Sequence, residues 1–306
     1  METVLQWGLE CIRLVQSWAS PQLTVIIKII TGFGSAAAYF LLLPLLYWCV
    51  DEKKSLRLGI AVLISVWINL FLKFLLDQPR PFFPGYDPSL GMIAERLGGF
   101  PSGHAQNSLV MWIIIASWGK RKWHYAAAAL FCLLIGFSRV YLGVHFPTDV
   151  LGGWLIASLI LCGYFLAGGK IEALLEAGGH RAGILACSAL SFAMILFRTF
   201  TELLMPAGMI LGLGAGYVLN RRSIGFSAAA LSSRIGAFKY FTLLVRLALG
   251  MTAMILLYTL TGKLITPGDT TGNYRLIIFL RYALLAFWVS AGAPWLFRFL
   301  RLAEDA

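Results

Sequence analysis

The sequence predicts an all-α polytopic membrane protein, a bundle of about nine transmembrane helices, and three observations carry that expectation. Of 306 residues, 59% are hydrophobic and only 13% charged, a balance that suits lipid better than a soluble core. The apolar residues fall in runs long enough to cross a hydrocarbon layer about 30 Å thick. The Lys and Arg residues gather in alternate connectors between those runs, where orienting charges belong.

Taken in order, residues 1–21 begin METVLQWGLECIRLVQSW, a pattern that predicts an amphipathic helix lying at the membrane surface and stopped at Pro21. Glu2 and Glu10, with no basic leader before the apolar residues, argue against a cleaved signal peptide. Spans are expected at 22–49, 58–76, 104–118, 124–142, 150–167, 183–200, 205–219, 240–262 and 274–297. Those at 104–118 and 205–219 are the shortest. The basic connectors are DEKKSLR (51–57), GKRKWH (119–124), 168–182, 220–239 and the tail RFLR, and these should be cytoplasmic. The opposite set, 77–103, 143–149, TELL (201–204) and TPGDTTGNYR (266–275), is poorer in positive charge. This pattern puts the N-terminal helix and the connector 77–103 on the extracytoplasmic side and the C-terminus in the cytoplasm.

The net charge of +11 would suggest a nucleic-acid partner in a soluble chain, but charges spent on connectors exclude that reading. Cys11, Cys49, Cys132, Cys162 and Cys187 are scattered in apolar surroundings without ligand spacing and read as small hydrophobic residues. The densest polar clusters lie in 22–167, read as the catalytic core. Residues 168–306 read as a four-helix transmembrane extension. That extension carries Gly208, Gly212 and Gly216 at intervals of four, which lets two helix backbones approach, within one chain or between two copies. The sequence does not fix an oligomeric state.

Three polar clusters interrupt the apolar pattern on one side of the membrane: KFLLDQPRP (73–81), PSGH (101–104) and SRVYLGVHFPTD (138–149). Ser102 suits a helix N-cap and Gly103 allows close approach to the backbone, so the free N–H groups there suit an anion. Arg80 and Arg139 offer planar forks for phosphoryl oxygens, and Lys73 adds a point charge. His145 and Asp149 are four apart with Pro147 suited to a helix start between them, so the carboxylate can fix the imidazole tautomer and free the other nitrogen to attack. His104, from another helix, could protonate the leaving oxygen. Asp77, Asp87, Glu95 and Asp149 lack the spacing of a metal site, so no metal and no cofactor is expected.

In their order and internal spacing, KxxxxxxRP, PSGH and SRxxxxxHxxxD resemble the three-part signature of the type 2 phosphatidic acid phosphatase (PAP2) family, whose wider superfamily includes vanadium haloperoxidases. All three match without substitution within about the first 167 residues. The resemblance implies a metal-independent phosphatase. Its nucleophile would be His145, held by Asp149, forming a phosphohistidine. His104 would be the general acid, and Lys73, Arg80, Ser102, Gly103 and Arg139 would bind the phosphoryl group. It also implies a lipid phosphate or diphosphate as partner, among them undecaprenyl pyrophosphate, phosphatidylglycerol phosphate, phosphatidate and sphingoid phosphates, in a plasma membrane of bacterial type. The four C-terminal spans lie outside the family core, although the glucose-6-phosphatase branch also has nine spans. A soluble sugar phosphate, a phosphotransferase, and a carrier that holds or moves a phosphorylated lipid are the alternatives; a carrier needs the cations but has no use for two His and an Asp.

Other polar residues carry lesser expectations. His124 and His180 read as capping or surface residues beside cytoplasmic connectors. Arg198 and Glu202, one turn apart, could pair with each other or touch a headgroup. Lys28, Arg246 and Arg281 fall inside spans and should face protein, water or a headgroup, since burying charge in lipid is expensive, which makes them candidates for lining a cavity. Phe82, Phe83 and Tyr86 suit either a flap over the site or anchoring at the bilayer surface.

Overall fold

The computed structural model describes residues 2–119, 121–197, 200–228, 237–265 and 272–303. Among these the chain is helical, without a β-strand. The helices are α1 (Glu2–Gln16), α2 (Pro21–Gly32), α3 (Ala36–Cys49), α4 (Glu52–Leu76), α5 (Gly103–Trp118), α6 (Lys122–Tyr141), α7 (Pro147–Ala177), α8 (Gly179–Ile195), α9 (Leu204–Leu219), α10 (Ala237–Gly262), α11 (Gly272–Phe287) and α12 (Ala293–Phe299).

Six helical segments of the described residues are long and apolar enough to cross a membrane, or seven if the broken pair α2 and α3 counts as one. The expected nine spans are therefore not reached. α5 and α8, with 16 and 17 residues, are too short by length alone. At 1.5 Å per residue they reach only about 24–26 Å, against about 30 Å of hydrocarbon. The run at 205–219 lies inside the longer helical segment Thr201–Ile224, since the 3₁₀ turn Thr201–Leu203 and a π-turn at Asn220–Ile224 extend it. Pro21 does not end α1 but begins α2. Its missing N–H falls where no helical partner exists, and Ser20 Oγ caps the helix by accepting from Leu23 N.

The packing separates two units, Met1–Tyr39 with Ile64–Leu166, and Phe40–Leu63 with Ala167–Ala306. In the first unit, Leu9 and Ile12 of α1 are buried with Leu90, Ala105, Val140, Phe146 and Val150. The opposite side of α1 leaves Val4, Trp7 and Leu14 exposed. Gln16 Nε2 donates to Leu90 O and Tyr141 O at 2.8 and 2.9 Å, and Arg13 pairs with Asp87 at 2.9 Å, so α1 is fastened to the α4–α5 connector. Phe82 packs beside Ile27, Tyr141, Leu142 and Val144, while Tyr86 meets Phe146 edge-on. These contacts hold Phe82 and Tyr86 against the protein.

Between α4 and α5 lies a buried polar set. Asn69 Nδ2 donates to Gln106 Oε1 at 2.9 Å and to Pro101 O at 3.2 Å, Gln106 Nε2 donates to Ser65 O at 2.8 Å, and Ser65 Oγ donates to Asn107 Oδ1 at 2.6 Å. Four polar side chains in an apolar span are tolerable because they satisfy one another.

The second unit has its core at Tyr47, Trp48, Phe226, Met254, Leu285, Val289 and Phe297. Trp48 Nε1 donates to Val289 O at 2.8 Å and Tyr47 Oη to Ser290 O at 3.2 Å. The glycine ladder packs within the chain. A Cβ on Gly208 or Gly212 would stand 2.4 Å from Phe279 O or 2.0 Å from Ala283 O, and one on Gly216 would meet Ser290 Oγ at 2.1 Å. Arg246 faces protein: it is fully buried, donates to Leu302 O and Trp48 O at 2.8 and 3.0 Å, and stacks on Phe226. Arg281 similarly donates to Tyr258 O at 2.8 Å and covers the Tyr258 ring, and Lys28 is exposed. The expected pair of Arg198 with Glu202 falls outside the described residues, because Arg198 does.

Candidate active site

All eight residues singled out from sequence belong to the first unit, and the three motifs meet through the backbone and through side chains. α4 ends three residues beyond Lys73, and its buried ammonium donates to the carbonyls of Gly98 and Gly99, the latter at 3.0 Å. Arg80 follows the Pro79 break and is 2% exposed. Its Nε donates to Leu97 O at 2.6 Å and its Nη1 to Val144 O at 2.8 Å, which ties the first motif to the loop before α7. Burial pushes the Arg80 guanidinium down to about 10, so it remains a cation at neutral pH.

Ser102 is the N-cap of α5 and is fully buried, with its Oγ facing Ala105 N at 3.5 Å. Its own N–H donates to Asp149 O at 2.9 Å, joining the second motif to the third. Gly103 is required by a close approach, since a Cβ there would lie 2.9 Å from Asn69 Oδ1. His104 occupies the first turn of α5 with its ring against Gly34.

Pro147 opens α7 and places Asp149 in its first turn, one turn beyond His145. His145 Nδ1 stands 3.1 Å from Asp149 Oδ2, which also accepts from Phe146 N at 3.0 Å. His145 Nε2 faces Arg80 Nη1 at 3.2 Å. A guanidinium nitrogen can only donate, so Nε2 accepts and the ring proton sits on Nδ1, toward the carboxylate. Burial holds the His145 imidazole well below its ordinary value of 6.5, and the charges of Arg80, Lys73, Arg139 and His104 act in the same direction. A neutral ring with an unprotonated nitrogen facing a cation is a competent nucleophile toward an anion held by that cation.

Arg139, 1% exposed, donates from Nη1 to Thr31 Oγ1 at 2.9 Å and pairs through Nη2 with Glu95 Oε1. Its Nε is buried without a hydrogen-bond partner. Glu95, Thr31, Asn69 and Gln106 are site neighbours that sequence reasoning did not assign. Asn69 carried one signal, an amide one turn before Lys73 in an otherwise apolar stretch. Among the described residues, no three His, Cys, Asp or Glu side chains gather as a metal site would require. The arrangement is a cationic cradle beside an oriented imidazole, which suits transfer of a tetrahedral anion.

Residues 54–172 match the model of the PAP2 superfamily, and residues 204–305 match that of the PAP2 superfamily phosphatase transmembrane extension. The chain is 35% identical over 161 residues to phosphatidylglycerophosphatase B of Bacillus subtilis, covering 47% of this chain and 75% of that protein. It is 29% identical over 140 residues to sphingosine-1-phosphate phosphatase 2 of Mus musculus, covering 42% and 38%. It is 32% identical over 115 residues to an undecaprenyl-diphosphatase of Sulfolobus acidocaldarius, covering 35% and 54%. The chain thus spans three-quarters of the first relative and about half or less of the other two. The two family matches and the first relative together establish that this chain belongs to the PAP2 superfamily and is a membrane phosphatase of the PAP2 type.

Proposed function

We propose that the protein hydrolyses a phosphomonoester or diphosphate carried on a lipid, at the extracytoplasmic membrane surface, through a phosphohistidine on His145. The observation that carries the reading is His145 itself, with Nδ1 against Asp149 and Nε2 directed at Arg80. The substrate's terminal phosphoryl group lies between Arg80, Arg139 and Lys73, with the N–H groups that open α5 completing the cradle. His145 Nε2 bonds to phosphorus as the P–O bond to the leaving group breaks, and His104 gives its proton to the departing oxygen. Water then attacks phosphorus while His104 takes back a proton, the N–P bond breaks, and inorganic phosphate leaves. Asp149 supports the positive charge that develops on the imidazole. On this reading the charge stabilisation comes from the side chains of Lys73, Arg80 and Arg139. Similarity to proteins named for phosphatidylglycerophosphate, sphingosine 1-phosphate and undecaprenyl diphosphate supports a lipid substrate.

The test is phosphate release by the purified chain in detergent across a panel of lipid phosphates and diphosphates, each beside His145→Ala. Release that disappears in the variant supports the reading and ranks the substrates. Release that survives in His145→Ala, or none from any lipid, overturns it.

A further inference from the structure

The two guanidinium groups of the cradle are not free: both turn toward one carboxylate. Glu95, in the connector between α4 and α5, pairs through Oε1 with Arg139 Nη2, and its Oε2 stands 3.7 Å from Arg80 Nη2. The arginine side chains are 1% and 3% exposed, whereas that of Glu95 is 27% exposed, so the carboxylate is the member of the trio that meets solvent. It is also an incomplete partner. Arg139 Nε is a buried donor that Glu95 leaves without an acceptor. A carboxylate offers two oxygens in a plane, while a phosphoryl group offers three in a tetrahedron and can reach a further donor.

We propose that Glu95 is the resident anion of the phosphate cradle, displaced when a phosphoryl group enters, and that this exchange makes the cradle a charge filter. The inference rests on the proposed placement of the phosphoryl group between Arg80 and Arg139. Exchanging a carboxylate for a phosphodiester, which carries one negative charge, leaves the charge of the cradle unchanged. Exchanging it for a monoester dianion or the end of a diphosphate adds a negative charge opposite three cations. The filter therefore admits phosphorylated lipid ends and rejects the diester headgroups of the surrounding bilayer. Specificity comes from a penalty on the wrong ligand as well as from attraction to the right one. Because Glu95 must leave first, the apparent affinity for any anion is lowered by the fraction of cradles it occupies.

The experiment measures binding of inorganic phosphate and of dimethyl phosphate to the purified full chain in detergent at pH 8, for the wild type and Glu95→Gln. Removing the carboxylate charge is expected to tighten phosphate binding by roughly tenfold. It is also expected to let dimethyl phosphate, which does not compete with inorganic phosphate for binding to the wild type, compete for binding to the variant. A folded Glu95→Gln that binds phosphate equally or more weakly, and still ignores dimethyl phosphate, overturns the proposal and makes Glu95 a support for the arginines. If Glu95→Gln is not recovered folded, Glu95→Asp serves, since a carboxylate one methylene shorter cannot span both guanidinium groups. About threefold tighter phosphate binding is then expected, and equal or weaker binding overturns the proposal. These are binding measurements, so they stand apart from the phosphatase reading, which fails separately if phosphate release does not depend on His145.

Discussion

Ser102 N donates to the backbone oxygen of Asp149 at 2.9 Å, so the residue that caps α5 is hydrogen-bonded to the residue whose side chain holds His145. The turn proposed to bind phosphate and the proposed nucleophile are thereby linked through the backbone. Asp149→Asn keeps that contact and the side-chain shape but removes the charge that orients and supports the imidazole. The expected result is a fall in kcat of about 100-fold or more with the fold retained. Steady-state kinetics beside a thermal melt check both halves of the expectation.

The His145 imidazole is held well below 6.5 in the free protein, chiefly by burial. In the proposed mechanism activity needs the neutral ring, so it should persist as the pH falls through 6.5 and be lost only further into acid, where His145 protonates. A kcat/KM profile reports the free enzyme's groups. An acid limb assignable to His145 at or above 6.5 would contradict the assignment.

The second unit gives a prediction about stability alone. In Gly212→Ala the new methyl would stand 2.0 Å from the backbone oxygen of Ala283, and a backbone atom cannot rotate away. α9 and α11 must part, which should destabilise the protein by about 1–3 kcal/mol. The melting temperature in detergent should fall accordingly, whereas Gly163→Ala, with open space around it, should leave it unchanged.

Orientation is testable at the α4–α5 connector, which is expected outside the cytoplasm from the Lys and Arg asymmetry. Ala94 is exposed there. Ala94→Cys should react with an impermeant thiol reagent added to intact cells, above the background of the parent protein. Reaction only after lysis would invert the topology.

A cradle whose charge comes from Lys73, Arg80 and Arg139 should not depend on a divalent ion. Phosphate release in excess EDTA should match the untreated rate. Loss on chelation, restored by added ion, would remove the proposed chemistry.

The helical membrane class and the three motifs were legible because hydropathy and residue spacing are local properties. The pairing of His145 with Asp149 follows from a separation of four residues across a helix start, and the packing role of Gly208, Gly212 and Gly216 from their regular spacing. The span count was less legible, since the apolar runs at 104–118 and 183–200 fold into helices of only 16 and 17 residues, α5 and α8. Glu95 looked like one of several loop carboxylates, and only the return of its loop toward Arg80 and Arg139 distinguishes it. That Arg246 must find partners within the protein follows from its place in an apolar run, but nothing near it in sequence announces Leu302 O and Trp48 O, the carbonyls it satisfies.

The second unit is built from two stretches of chain separated by more than a hundred residues of the first. During synthesis, α3 enters the bilayer long before its partners exist. Trp48 Nε1 acquires the oxygen of Val289 only after another 241 residues have been made. Until then its indole N–H must rest at the headgroup region, against water, or in the keeping of the insertion machinery, because hydrocarbon offers it no acceptor. A chain truncated after α7 would leave that donor permanently stranded, so truncated products should be cleared by membrane quality control even though every residue of the candidate site has already been translated.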